Sequence, residues 1–219
     1  MASENDMARL AARTGEIYDR HAAAFDRQRP KKLHERKWLD RFCDLLPAEA
    51  HVLDVGCGAA EPFTAYFLER GCVVEGVDFS MSMLKLARAR FPALAWHFAD
   101  MRTLELGKRF DGLIAWNSFF HLTPRDQVVT IDRFSAHLKP GGALMMTVGP
   151  GAGEVVGHVN GDDVYHSSLE PDEYREVLAR AGIDVVEFVA EDPDCEQQSI
   201  LIGRKSTGDR RAGSGGIRN

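Results

Sequence analysis

The sequence predicts an α/β protein in which a mostly parallel sheet carries helices on both faces. Three observations support this fold class. Short apolar runs alternate with helical patterns through the middle of the chain. The stretch His51–Glu61, HVLDVGCGAAE, is typical of a buried strand, a glycine turn and the start of a helix. The last two apolar runs, 184–190 and 198–204, have no long helix between them and therefore predict an antiparallel hairpin.

The remaining elements follow from periodicity and from helix-breaking or capping residues. Pro30 separates two N-terminal helical patterns, 4–27 and 31–46. Ser80 and Thr123 are predicted N-caps, and Pro124 occupies the first position of the helix that Thr123 opens. Strands are predicted at 51–55, 73–77, 94–98, 110–116 and 143–148, and the later helices at 61–70, 81–91, 124–137 and from 169 to the residue before Gly182.

The stretch 149–168 is rich in glycine and poor in apolar residues. It is too long for a plain connection, so we predict a substrate-facing loop in which Val164–His166 form a short strand. The predicted organisation is a single domain over 1–205, followed by a disordered tail at 206–219. Its parts are a helical cap (1–47), a core (48–148), the substrate loop (149–168), and a C-terminal helix and hairpin (169–205).

Composition narrows the class of protein. No apolar run approaches the ~20 residues of a membrane helix, and the charged N-terminus does not resemble a secretory signal. The four scattered cysteines form no zinc or disulfide pattern, so we expect no metal and a cytoplasmic location. The net charge of the chain is −6, but residues 203–219 carry five basic residues and one acid, a net charge of +4. The rest of the chain, called the body below, therefore has a net charge of −10. An acidic body argues against a nucleic-acid partner.

The glycine turn allows two interpretations. They differ in the third small residue that each motif requires. A nicotinamide or flavin site needs a third glycine where this chain has Glu61. The pattern Asp54-Val55-Gly56-Cys57-Gly58, with Ala60 as the third small residue, instead resembles the first motif of class I S-adenosylmethionine (SAM) methyltransferases. Three later segments resemble the same family in order and spacing, namely Gly76–Arg88 (GVDFSMSMLKLAR), Trp96–Met101 (WHFADM) and Leu138–Gly142 (LKPGG).

The resemblance implies a Rossmann-like, seven-stranded sheet whose seventh strand is antiparallel, with an N-terminal helical cap. It also implies SAM as cofactor and S-adenosylhomocysteine as product. Gly56 and Gly58 would lie under the methionine part, and Asp78, 20 residues after Gly58, would bind the ribose hydroxyls. Asp100 would meet the adenine amine, and Met101 would offer its backbone N–H to the ring. Further expected cofactor contacts are Tyr18, Asp54, Phe79, Met83 and Asn117.

Three of these assignments, those of Asp78, Met83 and Tyr18, have a structural alternative. Asp78 could be the N-cap acid of the next helix, and methionines in a row such as Met81 and Met83 more often belong to the core than contact a cofactor. Tyr18 and Arg29 lie where the family's cap helix often closes over cofactor or substrate, but simple packing would explain them equally well.

The segment after the fourth strand is the expected acceptor side, because parallel sheets bind ligands at the carboxyl ends of their strands. His121 is the first candidate for a general base, since its ordinary pKa suits proton transfer. The alternative is a histidine that orients the loop or the methionine carboxylate. Tyr165 and His166 are further catalytic candidates, or residues that shape a surface. The sequence Asn117-Ser118-Phe119-Phe120 lacks the Asn/Asp-Pro-Pro-aromatic pattern of nucleic-acid amine methyltransferases.

The function predicted from this resemblance is methyl transfer from SAM to an O, N or C atom of a small-molecule acceptor. The alternatives are an RNA or protein methyltransferase and a non-catalytic SAM-binding regulator. We expect a monomer or homodimer and no membrane partner.

Overall fold

The structure is a computed structural model that describes residues 4–208, with side chains from residue 6. The helices in this range are α1 (Glu4–Gln28), α2 (Arg36–Cys43), α3 (Phe63–Glu69), α4 (Met81–Arg90), α5 (Pro124–His137) and α6 (Pro171–Arg180). The strands are β1 (His51–Val55), β2 (Val73–Asp78), β3 (Ala95–Phe98), β4 (Phe110–Ala115), β5 (Leu138–Val148), β6 (Gly153–Val159), β7 (Asp162–Ser168), β8 (Ile183–Asp192) and β9 (Gln198–Lys205). Short 3₁₀ turns occur at Met101–Thr103, Phe119–His121 and Pro193–Cys195.

The main sheet has seven strands in the order β3-β2-β1-β4-β5-β9-β8. The first five are parallel, and β9 runs antiparallel to both β5 and β8. The predicted fold class, including the antiparallel seventh strand and the C-terminal hairpin, is therefore confirmed.

Apolar layers cover both faces of this sheet. Leu53, Leu113 and Leu144 pack on one face with side chains of α5 and α6. Val52 and Ile114, their neighbours in sequence, pack on the other face with α2 and α3. Because successive side chains of a strand point to opposite faces, a strand buried on both sides must be apolar throughout, as β1 and β4 nearly are.

The predicted helix starts are correct at both capped helices. Ser80 Oγ accepts a hydrogen bond from Met83 N at 3.1 Å, and Thr123 Oγ1 accepts one from Asp126 N at 3.2 Å. The second N-terminal helix is shorter than predicted, since α2 occupies Arg36–Cys43 rather than 31–46. Strand β5 is longer, because it begins at Leu138 instead of 143.

The prediction of a substrate loop at 149–168 is wrong for most of its length. Strands β6 and β7 pair there in an antiparallel hairpin that forms a sheet of its own. The pairing satisfies backbone polar groups that a long loop would leave to water. Val159 and Val164 of the hairpin pack against Ile17 of α1, so the cap consists of α1 together with this hairpin.

Two further sequence predictions concern the C-terminal tail and membrane-spanning helices. Residues 209–219 of the predicted disordered tail lie outside the described residues, whereas Ser206 N still donates to Gly182 O at 2.9 Å. Among the described helices, none combines the length and apolar character needed to span a membrane.

Candidate active site

A cavity of ≈ 300 Å³ lies at the carboxyl ends of β1, β2 and β4, under α1. Open parallel sheets bind ligands at this edge, where β1 and β4 separate the two halves of the sheet. The cavity wall includes every residue predicted to contact the cofactor: Tyr18, Asp54, Gly56, Gly58, Asp78, Phe79, Met83, Asp100, Met101 and Asn117. His121 and Arg29 line it as well.

The two glycines of the turn serve different purposes. Gly56 has φ +78°, and a Cβ at this position would lie 2.2 Å from the Cβ of Ser118. Ser118 is held there because its Oγ donates to Val55 O at 2.7 Å. Gly58 has φ +52° and only Met83 Sδ, at 3.9 Å, near its missing Cβ. Gly56 is therefore required by packing within the protein, whereas Gly58 leaves room at the cavity wall.

Asp78 connects the glycine turn to the start of α4. Its Oδ2 accepts from Gly58 N at 2.7 Å and its Oδ1 from Ser80 N at 2.8 Å. Burial raises the pKa of this carboxyl, and the backbone N–H groups of Ser80, Gly58 and Phe79 oppose the shift. The N-cap of α4 is Ser80, so the alternative role of Asp78 as the capping acid does not apply. Each carboxylate oxygen has a second lone pair and can still accept from a diol.

Asp54 is a buried carboxylate on the same wall, only 4% exposed. Burial raises its pKa from 3.8 to about 7, although the positive charge of Arg29 opposes the shift, and Asp78 adds to it. Arg29 itself lies 5.3 Å from the centre of the Phe63 ring and 3.6 Å from a Glu35 oxygen. A cationic ligand group beside Asp54 would favour its charged form.

Another part of the cavity wall is formed by the turn after β3 and by Phe79. Burial alone would raise the pKa of Asp100, but its hydrogen bonds with Arg102 outweigh this and lower the pKa. Arg102 Nε donates to Asp100 Oδ2 at 2.9 Å, and the Arg102 backbone N–H donates to Oδ1 at 2.9 Å. Phe79 is 52% exposed and stacks on Phe98 with ring centres 5.5 Å apart. This wall thus offers a carboxylate and an aromatic face next to the backbone of Met101.

Tyr18 of the cap and His121 of the sheet meet on the opposite side of the cavity. The Tyr18 hydroxyl lies 3.0 Å from His121 Nε2, and His121 Nδ1 lies 2.8 Å from the backbone oxygen of Tyr165. A carbonyl can only accept, so Nδ1 carries the proton and Nε2 accepts from the Tyr18 hydroxyl. Burial lowers the pKa of His121 to about 4 and raises the pKa of Tyr18 to about 12, so both groups are neutral near pH 7.

Tyr165 and His166 do not line the cavity. Tyr165 is fully buried, and its hydroxyl donates to Glu154. The Tyr165 backbone carbonyl, rather than its side chain, contacts His121. His166 packs against the rings of Phe120 and His121 at 4.7 and 4.8 Å between centres. The geometry therefore gives these two predicted catalytic residues a supporting position behind His121.

Several wall residues carry no motif and were missed in the sequence. They include Phe63 and Trp116 and the small residues of α1, namely Ala8, Ala11, Ala12 and Gly15. The small residues bring α1 close to the sheet edge, since a Cβ at Gly15 would lie 2.6 Å from the Phe79 ring. Their spacing on one helix face was the available signal. Asn117 was identified, and its backbone N–H donates to Thr147 Oγ1 at 2.7 Å. Within residues 4–208 no His, Cys, Asp and Glu side chains cluster as a metal site would require.

This sheet order and cavity define the class I methyltransferase fold, and comparison with solved structures agrees. A sugar N-methyltransferase from Streptoalloteichus sp. superposes with a TM-score of 0.69 at 21% identity, covering 88% of this chain and 94% of that one. A 1,6-didemethyltoxoflavin-N1-methyltransferase from Burkholderia thailandensis superposes with a TM-score of 0.69 at 22% identity, covering 94% and 92%.

The central part of the chain is similar in sequence to known methyltransferases. Residues 52–142 match the family described as "Methyltransferase domain". A dTDP-3-amino-3,6-dideoxy-α-D-glucopyranose N,N-dimethyltransferase from Streptomyces fradiae is 33% identical over 102 residues, which are 46% of this chain and 40% of that protein. The chain spans about half or less of the length of the first curated relatives it matches. The chain therefore has the fold of class I SAM-dependent methyltransferases, and its residues 52–142 match a methyltransferase domain, as the four motifs predicted.

Proposed function

We propose that this protein is a SAM-dependent methyltransferase that acts on a small molecule, with an amine nitrogen as the acceptor atom. One observation carries the proposal. A single cavity joins the glycine turn, Asp78 and Asp100 on one side to the Tyr18–His121 pair on the other. A donor bound along the first set would thus have its reactive end next to the second.

The cavity wall fits a cationic cofactor. It carries six carboxylates, from Asp26, Asp54, Glu61, Asp78, Asp100 and Asp126, and two guanidinium groups, from Arg29 and Arg102. In the proposed site Asp54 faces the methionine ammonium, and Arg29 lies near the methionine carboxylate. Asp78 accepts from the ribose hydroxyls, and Asp100 accepts from the adenine amine. The bound sulfonium supplies an already activated methyl group, so the protein has chiefly to position donor and acceptor.

The acceptor side favours a nitrogen for a chemical reason. His121 is a weak base with a pKa of about 4 and is poorly suited to take a proton from a hydroxyl, whereas a neutral amine attacks with its own lone pair and needs no base beforehand. Its neutral Nε2 accepts from the Tyr18 hydroxyl, and the Tyr18 oxygen can in turn accept a hydrogen bond from an N–H of the acceptor and thereby orient the nitrogen lone pair. The name of the Streptomyces fradiae relative and that of a second relative, from Streptomyces venezuelae, specify N,N-dimethyltransferases of dTDP-amino sugars. These names support an amine on a compact, sugar-like acceptor.

The acidic cavity wall also argues against a nucleic-acid acceptor. A nucleic-acid strand would have to bring phosphates close to these carboxylates, which would repel them, so we expect no nucleic-acid partner. The four cysteines are free thiols in the structure, which fits the cytoplasmic location that we propose.

Calorimetry with SAM, followed by release of S-adenosylhomocysteine against a panel of acceptors, tests this function. We expect turnover of amino sugar nucleotides and none of the matched sugars that carry a hydroxyl in place of the amine. Asp78→Ala should weaken SAM binding by about 1.5–3 kcal/mol, the range for hydrogen bonds to a charged group. Preferred turnover of the hydroxyl sugars would contradict the choice of nitrogen, and SAM binding without turnover of any acceptor class would favour a regulator.

A further inference from the structure

The hairpin β6–β7 has one covered strand and one exposed strand. Six of the seven residues of β7 are buried or partly covered, and α1 and the 3₁₀ turn Phe119–His121 pack next to it. In β6 only Val159 is buried. Val155 and Val156, which point to opposite faces of the strand, are 60% and 39% exposed. An exposed apolar strand at the edge of a sheet is a surface for pairing with another strand.

The hydrogen bonds of β7 show which backbone groups of β6 are available. The carbonyls of Tyr165 and Ser167 accept from His121 Nδ1 at 2.8 Å and from Gln127 Nε2 at 2.9 Å. Both carbonyls therefore lie on the edge of β7 that faces away from β6. Because main-chain groups alternate between the two edges of a strand, the residues in between pair with β6.

The register then identifies the outward-facing residues of β6. His166 lies opposite Val155 and Val164 lies opposite Gly157, so Val155 and Gly157 direct their N–H and C=O groups towards β7. Glu154, Val156 and His158 consequently direct theirs to the free edge. These three residues offer three donors and three acceptors in a row.

The other free edges described in this chain are less suited to pairing. At one end of the main sheet, β3 has only four residues. At the other end, β8 is interrupted by two register irregularities and carries Asp184, Glu187 and Glu191. Bulges and like charges are the usual protection of an edge strand. Strand β6 pairs with β7 over seven residues without an irregularity, and Glu154 is its only acidic residue.

The free edge of β6 is complementary to itself. An antiparallel second copy centred on Val156 places Val156 opposite its counterpart and Glu154 opposite His158 of the other copy, twice by symmetry. His158 Nδ1 lies 2.8 Å from Asp163, which leaves its Nε2 free for the second carboxylate. All six main-chain groups per copy find partners in this arrangement. We propose that β6 joins two copies of this chain in a C2 dimer through a four-stranded sheet, β7-β6-β6-β7.

The dimer would stabilise the neighbourhood of the site, because β7 supplies the Tyr165 carbonyl that orients His121. The proposal itself depends only on the edge of β6 and not on the chemistry of the cavity. A measurement of mass therefore tests it independently of methyl transfer.

Sedimentation velocity over a range of protein concentrations is the test, with Val156→Lys as the variant. We expect a dimer for the unaltered chain and a dimer dissociation constant at least ~10-fold weaker for Val156→Lys. The matched control is Val186→Lys, which places the same charge on the edge strand β8 at a valine that is 48% exposed. It should leave the dimer unchanged. Unfolding curves show whether each variant is folded.

A second experiment tests the Glu154–His158 register. In Glu154→Lys a lysine lies opposite His158, and in His158→Glu a carboxylate lies opposite Glu154, so each variant alone should dimerise at least ~10-fold more weakly. Mixed in equal amounts, the two should form a heterodimer, since a lysine then meets a carboxylate at one position and the original Glu154–His158 pair forms at the other. A monomeric unaltered chain, or a dimer that Val156→Lys leaves intact, would overturn the proposal. Failure of the mixed pair to associate while each variant stays folded would overturn the register.

Discussion

At the residue scale, the chemistry of His121 is set by two neighbours and by burial. Its Nδ1 donates to the Tyr165 carbonyl, its Nε2 accepts from Tyr18, and its pKa lies at about 4. The sequence alone led us to expect a histidine with an ordinary pKa, whose activity would fall on mild acidification. With the pKa that His121 has in the structure, this loss of activity should occur only at much lower pH. Above about pH 5 the side chain is neutral and its Nε2 can accept the hydrogen bond from Tyr18.

We predict that His121→Ala lowers turnover by about 10²–10⁴-fold with little change in SAM affinity, the range for a lost general acid–base or orienting group. The pH–rate profile of the unaltered protein should show no inflection from His121 between pH 6 and 7. If His121 instead contacts the methionine part, SAM affinity should fall in the same variant. Equal turnover and affinity in variant and parent would make His121 structural only.

Asp54 provides a second test at this scale, because its effects on stability and on binding should have opposite signs. Its pKa is 3.8 without burial and about 7 in the fold, so between these values the folded protein holds an extra proton. Stability therefore falls as pH rises from about 4 to about 7 and stays lower above that.

We predict that Asp54→Asn raises the free energy of unfolding of the cofactor-free protein by about 1–4 kcal/mol above pH 7, since one pKa unit corresponds to ~1.4 kcal/mol. Below pH 4 the two proteins should have the same stability. SAM affinity should decrease in the variant, because it lacks the carboxylate that we propose lies next to the methionine ammonium. Urea unfolding at several pH values and calorimetry measure the two effects. A variant that is less stable at pH 8 would contradict the argument.

At the element scale, a buried amide holds the hairpin against the sheet. Gln127 of α5 is fully buried, and its Nε2 donates to Ser167 O at 2.9 Å and to Leu122 O at 3.2 Å. Its Oε1 accepts from the Tyr174 hydroxyl at 2.6 Å. The side chain thus connects α5, α6, β7 and the segment that ends in Leu122, immediately after His121.

We predict that Gln127→Leu lowers the free energy of unfolding by about 1–3 kcal/mol, because it leaves buried polar groups without partners. Turnover should fall further than the loss of folded protein explains, since β7 positions the Tyr165 carbonyl. Val129→Ala, at an exposed position of the same helix, is the matched control and should change stability by no more than about 0.5 kcal/mol. If stability falls but turnover per folded molecule is unchanged, the hydrogen bonds of Gln127 stabilise the fold without positioning the site.

Sequence patterns predict secondary-structure elements better than they predict the contacts between those elements. The first strand, its glycine turn and the spacing from Gly58 to Asp78 are local, and the structure has Gly58 N and Asp78 Oδ2 2.7 Å apart. Tyr18 and His121 are 103 positions apart and share no motif. Gly157 was taken for a loop residue, but it lies in β6, and glycine is needed there because a Cβ would be 2.4 Å from the His166 ring. Such a requirement depends on the partner strand and is invisible in a single segment.

At the scale of the whole molecule, charge is distributed unevenly between the body and the C-terminal segment. Residues 209–219 contain three arginines and one aspartate, against a chain total of −6. The cavity is lined by residues between Ala8 and Asp126, and β9 ends at Lys205. Nothing in the proposed chemistry therefore calls on the basic segment, whereas an RNA substrate would need basic residues to hold its phosphates.

We predict that truncation after Gly208 leaves turnover of the small-molecule acceptor and its salt dependence unchanged. Ending the chain there keeps the hydrogen bond from Ser206 N to Gly182 O, so the hairpin of β8 and β9 stays intact. A matched variant with Arg210, Arg211 and Arg218 replaced by glutamine separates loss of charge from loss of chain. Rates at low and high salt should superimpose for all three proteins. A large loss of turnover on truncation, reproduced by the glutamine variant and largest at low salt, would instead indicate a polyanionic acceptor bound through this segment.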